Sequence, residues 1–497
     1  MVLQDKYVIG LDLGTTSIKA VLFTTGGRVV MTTETVVETL YPDPLFSEQN
    51  PEEIDAKARK AVRNILQNPE VVDLGVEKNL IGIGISSAMH SLILTDKNYS
   101  PLSNMLIWSD KRSRKQADSL LEEGTGFEIY RRTGTPIHPM TPLCKLLWMK
   151  ETGYEAFRKA AYVMTGKDYL AAKWSGRAVI DYGMASSTGL FDLQSLDWDD
   201  EALRLCSVDK EQLAEVVPPT FILPGLKPEV QRDFGLTRDV PIAIGSSDGL
   251  LANLGSGAIL PGEVNISVGT SGAIRQFAAG FPVNDKMETF TYAFDREMSV
   301  IGGATNNGGI VLDFLMELAG FTGTTGEFLE GAENVSPGAD GLLFHPYING
   351  ERAPIWNAEA RGNLFGMRLG HTRAHLARAG LEGITFNIYR IGKALEKMTG
   401  KPKQITVNGG LTRSKLWVQI LADVFGEEVH VSNTPHNAAW GAAFTVLVAT
   451  GEVKDFAEIK KSLPESFKVT PNEKDTQIYR ELYSKYLELG ALLEAQF

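Results

Sequence analysis

Two segments far apart in the chain repeat one pattern. Tyr7 to Leu11 and Ile18 to Phe23 are β-rich runs around the turn Asp12-Leu13-Gly14-Thr15-Thr16-Ser17. Val264 to Ser267 and Ala273 to Phe277 flank Gly269-Thr270-Ser271-Gly272 in the same way. Apolar runs around a glycine-containing turn predict β-hairpins. Recurrence of one strand–GTS–strand unit predicts an internal duplication, each copy founding a domain. Gly26-Gly27 then reverses the chain into Val29 to Thr33 and extends the first hairpin to a meander.

Between the two units, Pro51 to Leu66 reads as an amphipathic helix, and Leu80 to Ser86, Ser91 to Leu94 and Met105 to Trp108 read as strands. The fold class is mixed α/β. The 497 residues suit two large units, since domains run to about 150 residues or somewhat more. The boundary falls near Val240 to Gly262, beyond the Pro218-Pro219 and Pro224 loops, and divides the chain into domains 1–250 and 251–497. In the second half, Ile405 to Val407, Gly409-Gly410 and Lys415 to Phe425 form a strand–turn–helix unit. Leu416, Trp417, Ile420, Leu421 and Val424 share one helical face, and Gly426 ends it.

Sixty-one acidic against 49 basic residues give a formal charge of −12. That field repels phosphate backbones and anionic membranes, so neither nucleic acid nor membrane is expected as a partner. The two cysteines, Cys144 and Cys206, provide neither a disulfide framework nor zinc-ligand spacing. Asp5 and Lys6 stand where a signal peptide needs an apolar core. Ala438 to Ala449, broken by Gly441 and Thr445, is too short to span a bilayer. A cytoplasmic setting is the expectation.

In the first turn, glycine allows close backbone approach, and Thr15, Thr16, Ser17 and successive N–H groups offer donors to a phosphate. Asp12 would hold a hydrated Mg²⁺, and Lys19 would add positive charge. Val240 to Gly249 carries a β-rich segment into small residues and delivers one carboxylate, Asp248, where a helix over Leu250 to Leu254 begins. Asp248 reads equally as an N-cap or as a base able to accept a proton late in phosphoryl transfer. Gly409-Gly410 would seat an adenine or ribose against bare backbone. Met89-His90 and Trp108-Ser109-Asp110 follow predicted strands, where polyol hydroxyls are often read, although a buried structural histidine is the simpler reading of His90.

Taken in order along nearly the whole chain, these motifs resemble the FGGY carbohydrate kinase family of the actin-like ATPase superfamily. Asp12 to Lys19 is similar to its first phosphate motif, Ser267 to Gly272 to the second, and Val407 to Asp423 to its adenosine motif. Thr141 to Trp148 and Gly362 to Glu382 resemble its two sequence patterns, with Gly380 a departure within the second. The resemblance implies two actin-like (ribonuclease H-like) domains, each a mixed sheet flanked by helices, with the catalytic cleft between them. It also implies ATP and Mg²⁺, the metal held by Asp12 and Asp248. Gly14, Thr15, Thr16, Ser17, Lys19, Gly269, Thr270 and Gly309 would serve the phosphates, Gly409, Gly410 and Ser414 the adenosine, and Asp313 would also bind the nucleotide. Asp248 would be the general base, and Met89, His90, Trp108, Asp110 and Asp248 would hold the sugar.

Glycerol-phosphorylating members carry Arg-Glu where this chain has Met89-His90, so a glycerol substrate is not expected. Ala88 to Ile93, Trp108 to Asp110 and Pro354 to Asn357 are most similar to members acting on gluconate. Xylulose is the alternative, and a non-catalytic actin-like protein binding sugar or nucleotide is the alternative of a different class. A gluconate carboxylate needs an anchor, for which Lys145, Lys167, Arg112 and Arg352 are all eligible. A homodimer is open.

Overall fold

The computed structural model describes residues 5–432, 434 and 436–496. Residues 1–4, part of the segment read as lacking an apolar leader, lie outside that range.

The first sheet is built from β1 (Tyr7–Leu13), β2 (Ser17–Thr24), β3 (Val29–Val36), β4 (Leu80–Ser87) and β5 (Ile242–Ser247). Its spatial order is β5-β4-β1-β2-β3. The β1–β2–β3 meander is antiparallel, and β4 and β5 run parallel to β1. Helix α1 (Pro51–Leu66) packs on it as predicted. Asn50 caps α1 by accepting from Glu52 N at 2.9 Å, Pro51 presets the first turn, and Ile54, Ala58, Ala61, Val62 and Ile65 face inward. Helix α2 (Asp248–Gly255) follows β5 directly.

The second sheet comprises β6 (Glu263–Val268), β7 (Gly272–Ala279), β8 (Phe290–Ala293), β9 (Met298–Thr305), β10 (Gln404–Gly409), β11 (Val429–Val431) and β12 (Phe467–Val469). Its order is β8-β9-β7-β6-β10-β11-β12. Without the edge strands β8 and β12, the series β9-β7-β6-β10-β11 repeats the connectivity and strand directions of β3-β2-β1-β4-β5. The two GTS-containing turns are therefore equivalent hairpins of two similar sheets. Helices α3 (Ile310–Leu318), α4 (Arg373–Thr399) and α5 (Lys415–Phe425) pack with this sheet in one apolar core. Gly380, on α4, faces α3: a Cβ there would lie 2.7 Å from Leu315 Cδ1.

Three local expectations shift. The strand read over Ser91 to Leu94 is Ile93–Thr95, and the one over Met105 to Trp108 is only Met105–Leu106. Asp110 N donates to Ile107 O at 3.1 Å, and this turn ends the second strand early. The helix expected from Leu250 starts at Asp248, with Ser247 in the N-cap position.

The apolar run noted near Ala438 is α6 (Asn437–Ala449), which follows β11 as α2 follows β5. It is buried between the first sheet and α2, with glycine at each close approach. A Cβ on Gly10 would lie 1.9 Å from Ala439 O, on Gly84 1.8 Å from Ala442 O, on Gly255 2.0 Å from Asn437 O, and on Gly441 2.2 Å from Leu251 O. Among the described residues no helix is long and apolar enough to cross a membrane.

Candidate active site

A cavity of about 330 Å³ lies between the lobes. Ala88, Met89, His90 and Trp108 line it from the first lobe; Gly269, Thr270, Arg275, Tyr292, Arg352 and Trp356 line it from the second; and Asp248 stands between. A second cavity, of about 770 Å³, is lined by Gly309, Asp313, Gly410, Arg413, Ser414 and Trp417. Gly269 and Thr270 line both cavities.

Asp248 owes its position to β5. Gly245, at φ +63°, permits a bulge that shifts the β5–β4 register between Ala243 and Ser246. A Cβ at Gly245 would lie 1.9 Å from Ile85 O, so only glycine allows the strands to approach there. The strand then ends in Ser247, and Asp248 opens α2, its Oδ1 accepting from Gly249 N at 2.6 Å. Burial, followed by the negative charge of Asp12, pushes the Asp248 carboxyl up to about 6, against the pull of Arg275 and Arg352.

Asp12, next to last in β1, lies beside Lys19 on β2 and Ser86 on β4. Ser86 Oγ donates to Asp12 Oδ1 at 2.7 Å, and burial raises this carboxyl as well. Lys19 pairs with Glu34 at 3.4 Å. Gly14 is required by the hairpin, since a Cβ would lie 2.8 Å from Ser17 O. Thr15 Oγ1 accepts from Trp108 Nε1 at 3.4 Å, and the side chain of Thr16 is exposed.

On the second lobe the Gly269–Ser271 turn is tied to the start of α3: Gly309 N donates to Gly269 O at 2.7 Å and Ile310 N to Thr270 O at 3.2 Å. Asp313, one turn into α3, faces the larger cavity. Gly409 closes β10 at φ +87° behind that cavity, while Gly410 and Ser414 line it. Ser414 also caps α5, accepting from Trp417 N at 3.2 Å.

His90 is buried, in a left-handed conformation at φ 65°, which is uncommon outside glycine. Its Nδ1 donates to Ser187 O at 2.7 Å, leaving Nε2 as an acceptor. Burial and the Lys145 cation depress its pKa to about 3, so the imidazole is neutral across the physiological range.

Asp110 is not brought to the cavity. Fully buried, it accepts from Ser47 N at 2.8 Å and pairs with Arg112 at 2.8 Å. Three of the four eligible cations are similarly engaged. Arg112 holds Asp110 and Glu48, Lys167 pairs with Asp181, and Lys145 donates to the carbonyls of His90 at 2.7 Å and Ile107 at 2.8 Å. Arg352 alone of the four lines the cavity. Arg275 and Tyr292 were missed by sequence reasoning. Arg275 left a signal, the one charge inside its strand, whereas Tyr292 left none.

Two similar sheets with equivalent hairpin turns, the second of which lies between two adjoining cavities beside a buried carboxylate, are the architecture of a two-lobed phosphotransferase. The family comparison makes the class specific. The N-terminal domain model of the FGGY family of carbohydrate kinases matches residues 7–255, and its C-terminal domain model matches 264–450. The chain belongs to the FGGY family and is a carbohydrate kinase. It is 41% identical to a gluconokinase of Bacillus subtilis (strain 168), covering 99% of this chain and 97% of that protein. Identity to a xylulose kinase of Lactococcus lactis is 29%, over 96% of this chain and 95% of that one. Among solved structures, a gluconate kinase from Lactobacillus acidophilus superposes with a TM-score of 0.95 at 32% identity, covering 99% of each chain. A xylulose kinase from the same organism gives 0.94 at 33%, with the same coverage. Backbone similarity therefore does not separate the two substrates.

Proposed function

We propose that this kinase transfers the γ-phosphoryl group of ATP to the terminal hydroxyl of D-gluconate, giving 6-phosphogluconate. The observation that carries the reading is the Gly269–Thr270 turn, shared by a cavity lined with hydroxyl-reading side chains and Asp248 and a larger cavity lined by Gly410 and Ser414. ATP in the larger cavity presents its γ-phosphate at that turn, within reach of a sugar hydroxyl on the other side. Asp248 accepts the hydroxyl proton as the oxygen attacks phosphorus in line, and its raised pKa suits a base working near neutrality. The turn N–H groups and the hydroxyls of Thr15, Thr16, Ser17 and Thr270 stabilise the charge on the transferring group. His90 Nε2 accepts from a sugar hydroxyl, and Trp108 forms a wall of the sugar pocket.

Asp12 and Asp248 fit Mg²⁺. Their carboxylates are close enough for one to raise the pKa of the other, and Asp12 takes only a hydroxyl donor. Among the described residues no cluster of three or more ligating side chains forms, which suits an ion that keeps waters and phosphate oxygens as its remaining ligands. When bound, the ion neutralises phosphate charge. On this reading residues 1–250 carry the sugar and the first phosphate turn, residues 251–497 carry the nucleotide, and the enzyme is cytoplasmic.

Gluconate is preferred to xylulose because two gluconokinases are 41% and 39% identical to this chain, whereas the similar xylulose kinases lie at 33% and below. Xylulose is kept as the second reading by the equal structural match. The test is kcat/KM on gluconate, xylulose and glycerol with ATP. Gluconate is expected to be highest, and a higher value for xylulose overturns the substrate assignment.

A further inference from the structure

Arg275 and Arg352 come from different elements, β7 and the loop after Ile348, yet line the same cavity. Nε of each is buried without a hydrogen-bond partner, as are the Tyr292 hydroxyl and the Trp356 indole N–H. Asp248 is the only carboxylate among the described lining residues. Glu351, buried outside the lining, draws on Arg352, and Arg352 Nη2 donates to Thr305 O at 3.2 Å, but the unpaired atoms of the lining are donors that no protein acceptor meets. Leaving guanidinium N–H donors buried and unpaired is costly, and an anionic acceptor is the usual compensation. Desolvation already depresses both guanidiniums, Arg352 to about 10.

The chain also builds these positions. Gly249 and Gly302 clear the path of Arg275: a Cβ on Gly249 would lie 3.1 Å from its Nε and Nη2, and one on Gly302 3.0 Å from its Cγ. The backbone of Arg352 is fixed by the fully buried Glu351, which accepts from Arg352 N at 2.8 Å, Asn306 N at 2.9 Å, Thr305 Oγ1 at 2.6 Å and Asn387 Nδ2 at 2.8 Å. Its guanidinium lies over Trp108, 5.1 Å from the ring centroid, so the cation reaches the wall of the opposite lobe.

We propose that Arg275 and Arg352, aided by the Trp356 N–H and the Tyr292 hydroxyl, clamp the carboxylate of an aldonate and are the specificity-determining residues of this kinase. A neutral sugar offers these donors only hydroxyls, whereas a carboxylate offers anionic acceptors in the fork geometry guanidinium favours. The clamp rests on the gluconate reading and adds to it the groups that do the selecting. The transferring phosphoryl group is also anionic, and the experiment separates it from the aldonate carboxylate as the partner of these cations.

The first arm uses the full-length wild-type enzyme and calorimetric binding of D-gluconate against D-gluconamide, its uncharged isostere, without nucleotide. The clamp predicts gluconate binding ~10–100-fold tighter. Equal binding of the two overturns it, whatever the variants do. The second arm takes Arg275→Gln and Arg352→Gln, with Arg352→Lys as the conservative variant. Each Gln variant is expected to weaken gluconate ~10-fold or more while gluconamide and ATP stay within ~2-fold, and Lys to restore part of the loss. A fall in kcat with gluconate affinity unchanged assigns the cations to the phosphoryl group and overturns the clamp. Gluconate affinity and turnover both intact in the variants sink the clamp alone. A wild-type enzyme that phosphorylates xylulose and ignores gluconate fails at the substrate reading first.

Discussion

At Asp248 the environment that raises the carboxyl pKa to about 6 sets activity and stability on opposite courses. As the proposed base the group must be deprotonated, so kcat/KM is expected to rise with pH through about 6 and level off above it. For stability the native state holds this proton more tightly than the unfolded chain, whose value is 3.8. Stability contributed by the protonated form is therefore complete below 3.8 and is lost as pH rises to about 6. Asp248→Asn should lower turnover by at least ~10²-fold. It should also stabilise the fold at pH 7.5 by up to ~3 kcal/mol, a gain that closes toward pH 4. Urea unfolding at both pH values, beside the pH–rate profile, checks the pair of trends. His90 behaves differently because its charge is suppressed. The gluconate KM should show no histidine inflection between pH 5 and 8, and His90→Ala should raise it ~10-fold while leaving the ATP KM nearly unchanged, as a lost hydroxyl contact predicts.

Among the elements, two glycines separate packing from ligand approach. Gly84 on β4 lies against α6, where a Cβ would meet Ala442 O at 1.8 Å. Gly84→Ala should cost ~1–3 kcal/mol through the forced shift of helix from sheet. Gly269, in the β6–β7 turn, has nothing within 4 Å of its would-be Cβ. Gly269→Ala should leave stability within ~0.5 kcal/mol but weaken nucleotide ~10-fold or more by occupying the space a phosphate approaches. Denaturant midpoints and nucleotide titrations on both variants decide the matter. If Gly269→Ala bound nucleotide normally, the turn would be structural only. Sequence patterning found α1 to the residue because its cap, its proline and its apolar face agree. It misjudged the strand at Met105, where a turn to Ile107 O, not side-chain propensity, ends the ladder.

Over the whole molecule, the lobes are joined where α2 and α6 pack against each other, and again where Thr291 N donates to Gly134 O at 2.8 Å and Tyr130 Oη to Thr289 O at 2.7 Å. The cavities lie between, with Trp108 on one lobe touching Arg352 on the other. A kinase must exclude water as an acceptor, so the lobes should draw together when both substrates are present. X-ray scattering should show the radius of gyration falling with gluconate and a non-hydrolysable ATP analogue together, and less with either alone. An unchanged radius would mean that the cleft is preformed in its closed state.

Some of this was settled along the chain itself. The two GTS turns, the Gly409-Gly410 junction and Asp248 after a β-rich run are local patterns, because a hairpin, a strand–helix junction and a helix start are each built from residues adjacent in sequence. Their repetition also announced the duplicated sheets. What depends on distant segments was not legible. Four cations were equally eligible as anchors until the fold gave Lys145 two carbonyls, Lys167 a carboxylate and Arg112 two, leaving Arg352 in the cleft beside an unforeseen Arg275. Asp110, two residues beyond the strand end read from the sequence, was drawn into the interior by Arg112 for the same reason. The apolar run at Ala438 had no local feature to say that it would bury itself between a sheet and a helix more than 180 residues away in sequence. A side chain's type is written in the chain, but whether its charge or apolar surface is spent on structure or left for a ligand is set by which remote groups the tertiary fold brings within a few ångströms of it.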